Sequence, residues 1–108
     1  MAFTIEFSER ARRDLHEIVQ YIHRDSPAAA TRWRRKLLKR LSVLESMAPS
    51  FGLAPENEFT RCEVRQLLFG RYRILYTVRH DVAFILTIRH GAREFASADE
   101  LDASDTRE

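Results

Sequence analysis

The stretch RCEVRQLLFGRYRILYTVRHDVAFILTIRHGAR, residues 61–93, decides the fold of this 108-residue chain. It is rich in β-branched, aromatic and other apolar residues. Turn-forming residues at 70 and at 79–81 divide it into three runs of strand length. We therefore predict an antiparallel meander with strands at 61–69, 71–78 and 82–89. Seven arginines fall within this stretch, so we expect one face of the sheet to be basic.

Strict alternation of side chains sorts the three strands into two faces. The face that we expect to lie beneath helices is apolar and contains Cys62, Val64, Leu68, Ile74, Tyr76, Val78, Phe84, Leu86 and Ile88. The other face is mixed and contains Glu63, Arg65, Leu67, Arg71, Arg73, Leu75, Thr77, Ala83, Ile85, Thr87 and Arg89. Apolar side chains rimmed by charge indicate a contact site. The candidate binding residues are Arg71, Leu75, Ile85, Arg89 and His90. The alternative is that the N-terminal strand or the acidic C-terminal tail covers this face.

The residues before the meander predict a strand and two helices. Residues 3–7 alternate apolar and polar side chains, as a short strand does. Ser8 is a suitable cap for a first amphipathic helix, and Pro27 suits the first position of a second, predicted at 27–45. Residues 47–60 show no period and predict a loop. We therefore expect an α+β fold in which an antiparallel helix hairpin covers the sheet.

Charge is distributed unevenly along the chain. Residues 94–108 contain six acidic side chains and one basic one, whereas residues 1–93 carry a net charge of +7. Sixteen of the 18 Lys and Arg residues are arginine, which suits phosphate or carboxylate recognition. A polyanion or an acidic protein is therefore an expected partner, although arginine-rich codon usage gives the same composition. We predict one domain at 1–95 and a flexible acidic tail at 96–108.

The sequence lacks the signals of several classes of function. No run of 18 apolar residues or secretory signal is present, and the single cysteine, Cys62, favours a reducing cytoplasm. The four histidines have no metal-ligand spacing, and the chain has neither a Gly-rich phosphate loop nor a Gly-x-Ser-x-Gly elbow. We expect no cofactor, no metal and no membrane partner.

A set of short segments in a fixed order resembles one known family. The segments are ARRDL at 11–15, SPAAA at 26–30, GLAPE at 52–56, EVRQL at 63–67, YRILY at 72–76 and IRHGAR at 88–93. Together they resemble the RelE/ParE superfamily, the toxins of type II toxin–antitoxin modules, over residues 2–95. The resemblance implies an antitoxin partner, with a homodimer or a hetero-oligomer with the antitoxin as possible assemblies.

The superfamily has two modes of action, and the resemblance leaves both open. RelE-like members cleave mRNA on the ribosome without a metal, whereas ParE-like members inhibit DNA gyrase. Residues similar to the catalytic arginines of the nuclease branch are Arg73 and Arg93. Two lysines of that branch correspond to Glu63 and Arg65, and its C-terminal tyrosine has no counterpart, because only Phe95 follows.

The nuclease chemistry needs groups that this sequence supplies poorly. RNA cleavage by 2′-hydroxyl attack requires a base, an acid and a stabiliser of the phosphorane. Arg65, Arg73 and Arg93 can stabilise charge, but a guanidinium is no base at neutral pH. His90 is the candidate base, but a histidine in such a position more commonly serves only as a hydrogen-bonding group. We therefore favour a gyrase inhibitor that is not an enzyme. The alternatives are a ribosome-dependent endoribonuclease and a non-toxic member that only binds a partner.

Overall fold

The computed structural model describes residues 2–91 and Leu101. The predicted order of a strand, a helix hairpin and an antiparallel meander is confirmed. None of the helices in these residues is long and apolar enough to cross a bilayer. The elements are β1 (Thr4–Phe7), α1 (Glu9–Asp25), α2 (Pro27–Leu41), α3 (Leu44–Met47), β2 (Arg65–Phe69), β3 (Tyr72–Arg79) and β4 (Val82–His90), with 3-10 turns at Ala48–Ser50 and Pro55–Phe59.

Serine side chains start both long helices. Ser8 accepts a hydrogen bond from the Ala11 backbone N–H at 2.9 Å, and Ser26 accepts one from Ala29 at 3.1 Å. Each bond satisfies one of the N–H groups that a helix start leaves without a partner. Helix α2 ends at Leu41, earlier than predicted, because the chain bends at Ser42 before the separate turn of α3.

The four strands form a mixed sheet in the order β1-β4-β3-β2. Strands β2, β3 and β4 are antiparallel neighbours, and β1 pairs with β4 in parallel. A parallel pair needs a long crossover connection, which the helices provide here. The N-terminal strand was predicted, but its parallel pairing with β4 was not. This pairing makes the sheet mixed rather than purely antiparallel.

The predicted faces of β2 are reversed in the structure. A two-residue turn at 70–71 places Phe69 opposite Tyr72 and therefore Leu67 opposite Ile74. Gly70 has a φ of +56°, which a side-chain-bearing residue adopts at a steric cost. Because hairpin length fixes register, Leu67 shares the helix-covered face with Ile74. The expectation that Leu68 faces the helices is wrong, since it points the other way and is 55% exposed.

Strand β4 changes face within its length because it contains an extra residue. The two-residue turn at 80–81 places Val78 opposite Ala83, and Tyr76 lies opposite Ile85. The register then shifts, so that Leu75 lies opposite Thr87 and Leu86 is the additional residue. Ala83, Ile85 and Ile88 therefore face the helices. The prediction is right for Ile88 but wrong for Phe84 and Leu86.

Each face of the sheet is covered by its own apolar core. The first core joins the sheet to the helices and contains Phe3, Ala11, Leu37, Leu41, Leu44, Ala48, Leu67, Ile74, Tyr76, Ala83, Ile85 and Ile88. The second core, on the opposite face, contains Ala54, Val64, Leu75, Val82, Phe84, Leu86 and Leu101. The mixed face is therefore covered within the monomer, and Leu101 of the C-terminal segment takes part. Otherwise, the tail predicted at 96–108 lies outside the described residues.

A buried carboxylate ties α1 to the irregular part of β4. Asp14 accepts hydrogen bonds from the Thr87 hydroxyl at 2.5 Å and the Ile88 backbone N–H at 3.1 Å. Arg10, one helical turn earlier, donates to its other oxygen at 3.2 Å. Asp14 thus satisfies polar groups beside the extra residue of β4, where the regular ladder is interrupted.

We predict that Asp14→Ala lowers the free energy of unfolding by about 2–4 kcal/mol. The change leaves the Thr87 hydroxyl and the Ile88 N–H buried without their acceptor. Glu17→Ala is the matched control: it removes an exposed carboxylate from the same helix and should change stability by less than about 0.5 kcal/mol. Urea titration followed by circular dichroism measures both, and equal losses would contradict the structural role of Asp14.

Candidate functional site

Arg73 forms a buried ion pair with Glu56. Its guanidinium donates to both carboxylate oxygens, at 3.0 Å and 2.7 Å, in a bidentate arrangement. The same side chain donates to the Gly91 carbonyl oxygen at 2.9 Å and to Gln66 Oε1 at 3.2 Å. Arg73 is 6% exposed and Glu56 is fully buried. One arginine thus joins the loop before the sheet to the start of β3 and the end of β4.

The geometry of this pair is that of a structural contact. Arginine presents its donors in a planar fork, and a carboxylate matches two of them in parallel. A phosphate group would use the same donors. With Glu56 in place, the donor fork of Arg73 is already occupied by an anion of the protein itself. Arg89 lies directly opposite Arg73 in the β3–β4 pairing, so Glu56 also offsets charge where two arginines meet.

Arg65 is also held by groups of the protein. Its guanidinium donates to the Phe51 carbonyl oxygen at 2.6 Å and to Glu63 Oε1 at 2.9 Å. The side chain is about one-fifth exposed, whereas Glu63 is largely exposed. The first contact fixes the loop to strand β2, and the second places a carboxylate beside the remaining donors. A carboxylate at this position opposes the approach of a phosphate.

The other predicted site residues are dispersed. Leu75 and Ile85 are fully buried, in different cores, so the expected exposed patch around them is wrong. Ile85 is buried because the two-residue turn at 80–81 places it on the helix-covered face, and Leu75 is buried because the second core covers the mixed face. Arg71 is exposed in the turn between β2 and β3, and Arg89 and His90 are half-buried at the end of β4. Arg93 lies outside the described residues.

His90 borders a small cleft between α1 and the end of the sheet. The cleft has a volume of about 180 Å³ and is lined by Arg10, Asp14, Glu17, Ile18, Tyr72, Ile88, Arg89 and His90. The His90 ring meets the Tyr72 ring edge to face, with centroids 5.2 Å apart, and Tyr72 contacts Trp33 in turn. Such edge contacts stabilise an aromatic cluster. His90 is therefore packed against the fold and still borders an opening.

Tyr76 is buried in the first core and is a poor proton carrier at neutral pH. Its hydroxyl donates to the Ala48 carbonyl oxygen at 2.6 Å. Burial raises the pKa of Tyr76 to about 12, and the positive charge of Arg65 acts weakly in the opposite direction. The described residues also contain no cluster of three or more His, Cys, Asp or Glu side chains suited to a metal ion.

A groove lies between β1 and the helix hairpin. It has a volume of about 640 Å³ beside β1 and continues between α1 and α2 for about 460 Å³ more. Its lining combines apolar side chains with mainly basic and histidine side chains: Ile5, Phe7, Leu15, Val19, Ala30 and Leu38 with Arg12, His16, His23, Arg34 and Arg35, together with Glu6 and Thr31. Strand β1 lies at the edge of the sheet, so the groove adjoins a strand with one unpaired side.

Sequence reasoning missed two buried carboxylates, Asp14 and Glu56. A signal existed for Asp14, because it falls on the apolar stripe of α1 between Ala11 and Ile18, where a charged side chain must have buried partners. Glu56 lies in an aperiodic loop, and nothing in the local sequence distinguishes it from an exposed glutamate. Its role depends on a contact with Arg73, 17 residues later.

We predict that Arg73→Ala lowers the free energy of unfolding by about 3–5 kcal/mol, because it leaves Glu56 buried without its counter-ion. Arg71→Ala removes an exposed arginine two residues away and should cost less than about 0.5 kcal/mol. Thermal and urea unfolding of the two variants test this. An Arg73→Ala protein as stable as Arg71→Ala would show that the ion pair contributes nothing.

Comparisons with known proteins agree with this architecture. A structure of a chromosomal ParDE toxin–antitoxin system from P. aeruginosa aligns with a TM-score of 0.67 and 18% identity, covering 83% of this chain and 97% of that chain. A mutant of E. coli toxin RelE in the free state aligns with a TM-score of 0.60 and 18% identity, covering 99% and 100%. The RelBE2 toxin–antitoxin complex from Mycobacterium tuberculosis gives a TM-score of 0.53 and 24% identity, covering 83% and 99%. At these identities, the likeness shows the fold.

The family itself is shown by sequence. No curated protein matches the chain significantly. The family model described as ParE toxin of type II toxin–antitoxin system, parDE, matches residues 5–95, which run from the second residue of β1 to beyond the end of β4. The resemblance expected from the ordered motifs is thereby confirmed, and the chain belongs to the ParE toxin family within the RelE/ParE superfamily.

Proposed function

We propose that this protein is a toxin that arrests growth by binding and inhibiting DNA gyrase, and that a cognate antitoxin neutralises it. The observation that carries this proposal is the buried ion pair between Arg73 and Glu56. In the nuclease branch, the arginine at this place in the motif acts on the phosphate. Here its donors are committed to a carboxylate of the same chain, which favours inhibition by binding over RNA cleavage.

The surroundings of the other candidate catalytic groups support the same proposal. Arg65 is held by the Phe51 carbonyl and Glu63, and Tyr76 stays protonated far above neutral pH. General acid–base catalysis needs groups that exchange protons near the working pH. Inhibition of an enzyme by binding needs none of them. Binding to a protein target therefore needs no acid–base group from these side chains, whereas RNA hydrolysis does.

A ribosome-dependent endoribonuclease is the second candidate. The feature that favours it is the cleft where His90, Arg89 and Tyr72 meet, because it places a titratable ring beside a guanidinium at an opening. In this mode Arg65, Arg73 and Arg93 would stabilise the phosphorane and His90 would act as the base. Glu56 would then have to release Arg73 before catalysis.

The antitoxin is proposed to bind along the groove between β1, α1 and α2. The P. aeruginosa and M. tuberculosis structures bear titles that name toxin–antitoxin systems, which supports such a partner here. The groove offers apolar contacts beside the edge strand β1, while Arg12, Arg34 and Arg35 border it. A segment with apolar residues facing the groove and acidic residues at its borders would fit, as an added strand or as a helix. Under the same proposal, the protein acts in the cytoplasm.

We predict that induced expression arrests growth, that co-expression of the adjoining antitoxin gene restores it, and that the purified protein inhibits gyrase supercoiling. The physical reason is that inhibition needs only a binding surface. The assay compares supercoiling by gyrase with and without the protein. The matched control is the protein mixed beforehand with its antitoxin, which should have no effect.

Cleavage of ribosome-bound mRNA with unaffected supercoiling would contradict the gyrase proposal and favour the nuclease mode. Expression that leaves growth unchanged would contradict both modes of toxicity and leave a partner-binding protein. The growth assay and the two biochemical assays together therefore separate the three functions.

We predict that Leu38→Glu weakens antitoxin binding at least about tenfold, or about 1.4 kcal/mol. Leu38 is 38% exposed and lines both parts of the groove. A glutamate at this position would bury a charge against the apolar side of the bound segment. Leu68→Glu is the control, because Leu68 is exposed on the sheet face away from the helices. It should change affinity less than about twofold by calorimetry. Equal effects would place the antitoxin elsewhere.

A further inference from the structure

The outer side of α2 carries a row of exposed cations. Arg32, Arg35, Lys36 and Lys39 follow the spacing i, i+3, i+4 and i+7, which aligns side chains along one side of a helix. Leu37, which points to the opposite side, is fully buried in the first core. We call these four exposed residues the α2 basic stripe. They belong to neither the Arg73 pair nor the cleft at His90, whereas Arg35 also borders the groove between α1 and α2.

Helix α2 itself supplies no acidic side chain to neutralise the stripe. Helix α2 contains six Lys and Arg residues and no Asp or Glu, whereas α1 contains four Arg residues and four acidic residues. Within the described part of the chain, none of the four stripe side chains forms an ion pair with a carboxylate. The positive charge of this helix is therefore not neutralised by its own fold in the way that the charge of α1 is.

Folding does not explain this arrangement. Cations three and four residues apart repel one another and destabilise a helix. Lys39 lies in the last turn, where the helix dipole favours positive charge, but Arg32, Arg35 and Lys36 lie before that turn. A row of like charges kept at a cost to the helix indicates an anionic partner outside the domain.

We propose that the α2 basic stripe binds the phosphate backbone of double-stranded DNA without reading its sequence. From Arg32 to Lys39 the helix axis rises by roughly 10 Å. A DNA duplex carries about one negative charge per 1.7 Å of its axis with both strands counted, so a segment of this length contains about six phosphates, of which a part faces the stripe. Arg32 and Arg35 can each hold two oxygens of a phosphate, and Lys36 and Lys39 act as point charges.

The chemistry of the stripe disfavours other partners. Single-stranded nucleic acid is bound by aromatic side chains on which bases stack, and the stripe has none. Trp33, between Arg32 and Arg34, packs instead against Phe69 and Tyr72. A protein partner would use apolar anchors at the centre of its interface, and Leu38 of this helix lines the groove instead.

Leu101, the described residue of the acidic C-terminal segment, lies away from the stripe. Leu101 packs into the second core, on the sheet face opposite the helices. DNA binding by the stripe goes beyond the proposed function, because it holds whether the toxin acts on gyrase or on mRNA. If gyrase is the target, the stripe gives the toxin a contact with the DNA on which that enzyme works.

Fluorescence polarisation with a labelled duplex of about 20 base pairs tests the proposal. Four phosphate contacts predict a slope of about −3.6 for log K against log salt. The double variant Arg32→Gln/Arg35→Gln should halve this slope to about −1.8 and weaken binding at least about tenfold at low salt. Arg13→Gln/Arg24→Gln removes two exposed arginines from α1 and should change affinity less than about twofold.

Several results would overturn the proposal. Equal losses in the two double variants would show that net charge alone binds DNA, and no binding by the original protein at low salt would exclude a DNA site. Tighter binding to the single strand than to the duplex, or displacement of the duplex by poly-glutamate at lower concentration than by unlabelled duplex, would assign the stripe to another partner. The melting temperature serves as the folding control, and relief of repulsion should leave it unchanged or raise it.

Discussion

The ion pair between Arg73 and Glu56 is the contact on which the arrangement of the loop and the sheet depends. It lies at the start of β3 and reaches the loop before the sheet through Glu56, β2 through Gln66, and the end of β4 through Gly91. Both charges are buried, so each requires the other. The same contact supports the proposed inhibition of gyrase, because it occupies the guanidinium that RNA cleavage would need. Fold and proposed function therefore rest on one side chain.

Element type and order followed from the sequence, because serine caps, Pro27 and apolar periodicity are local signals. The faces of β3 also followed, but those of β2 and β4 did not, because strict alternation ignores the turns. The two-residue turns at 70–71 and 80–81 reverse the expected faces of β2 and of the first part of β4, and the extra residue Leu86 changes the face of β4 within its length. Ile85 thereby moves from a predicted surface patch into the helix-covered core, whereas Leu75 keeps its predicted face and is buried by the second core.

The candidate site was harder to predict for a related reason. Arg73 was identified by motif, but its partner Glu56 lies in a loop without periodicity, and only the folded chain brings them together. Asp14 could have been found as a charge on an apolar helical stripe. With both sheet faces filled, the prominent surfaces of the described residues are on the helix side: the groove beside β1 and the α2 basic stripe. The proposed binding of an antitoxin and of DNA uses these two surfaces.

The central claim is that Arg73 is committed to Glu56 inside the fold. A double-mutant cycle measures this directly, with unfolding free energies of the original protein, Arg73→Met, Glu56→Gln and the double variant. The account predicts a coupling free energy of about 2–3 kcal/mol, with the double variant more stable than the sum of the single losses implies. Single losses that add to within about 0.5 kcal/mol would contradict it, because Arg73 would then be free to meet a phosphate.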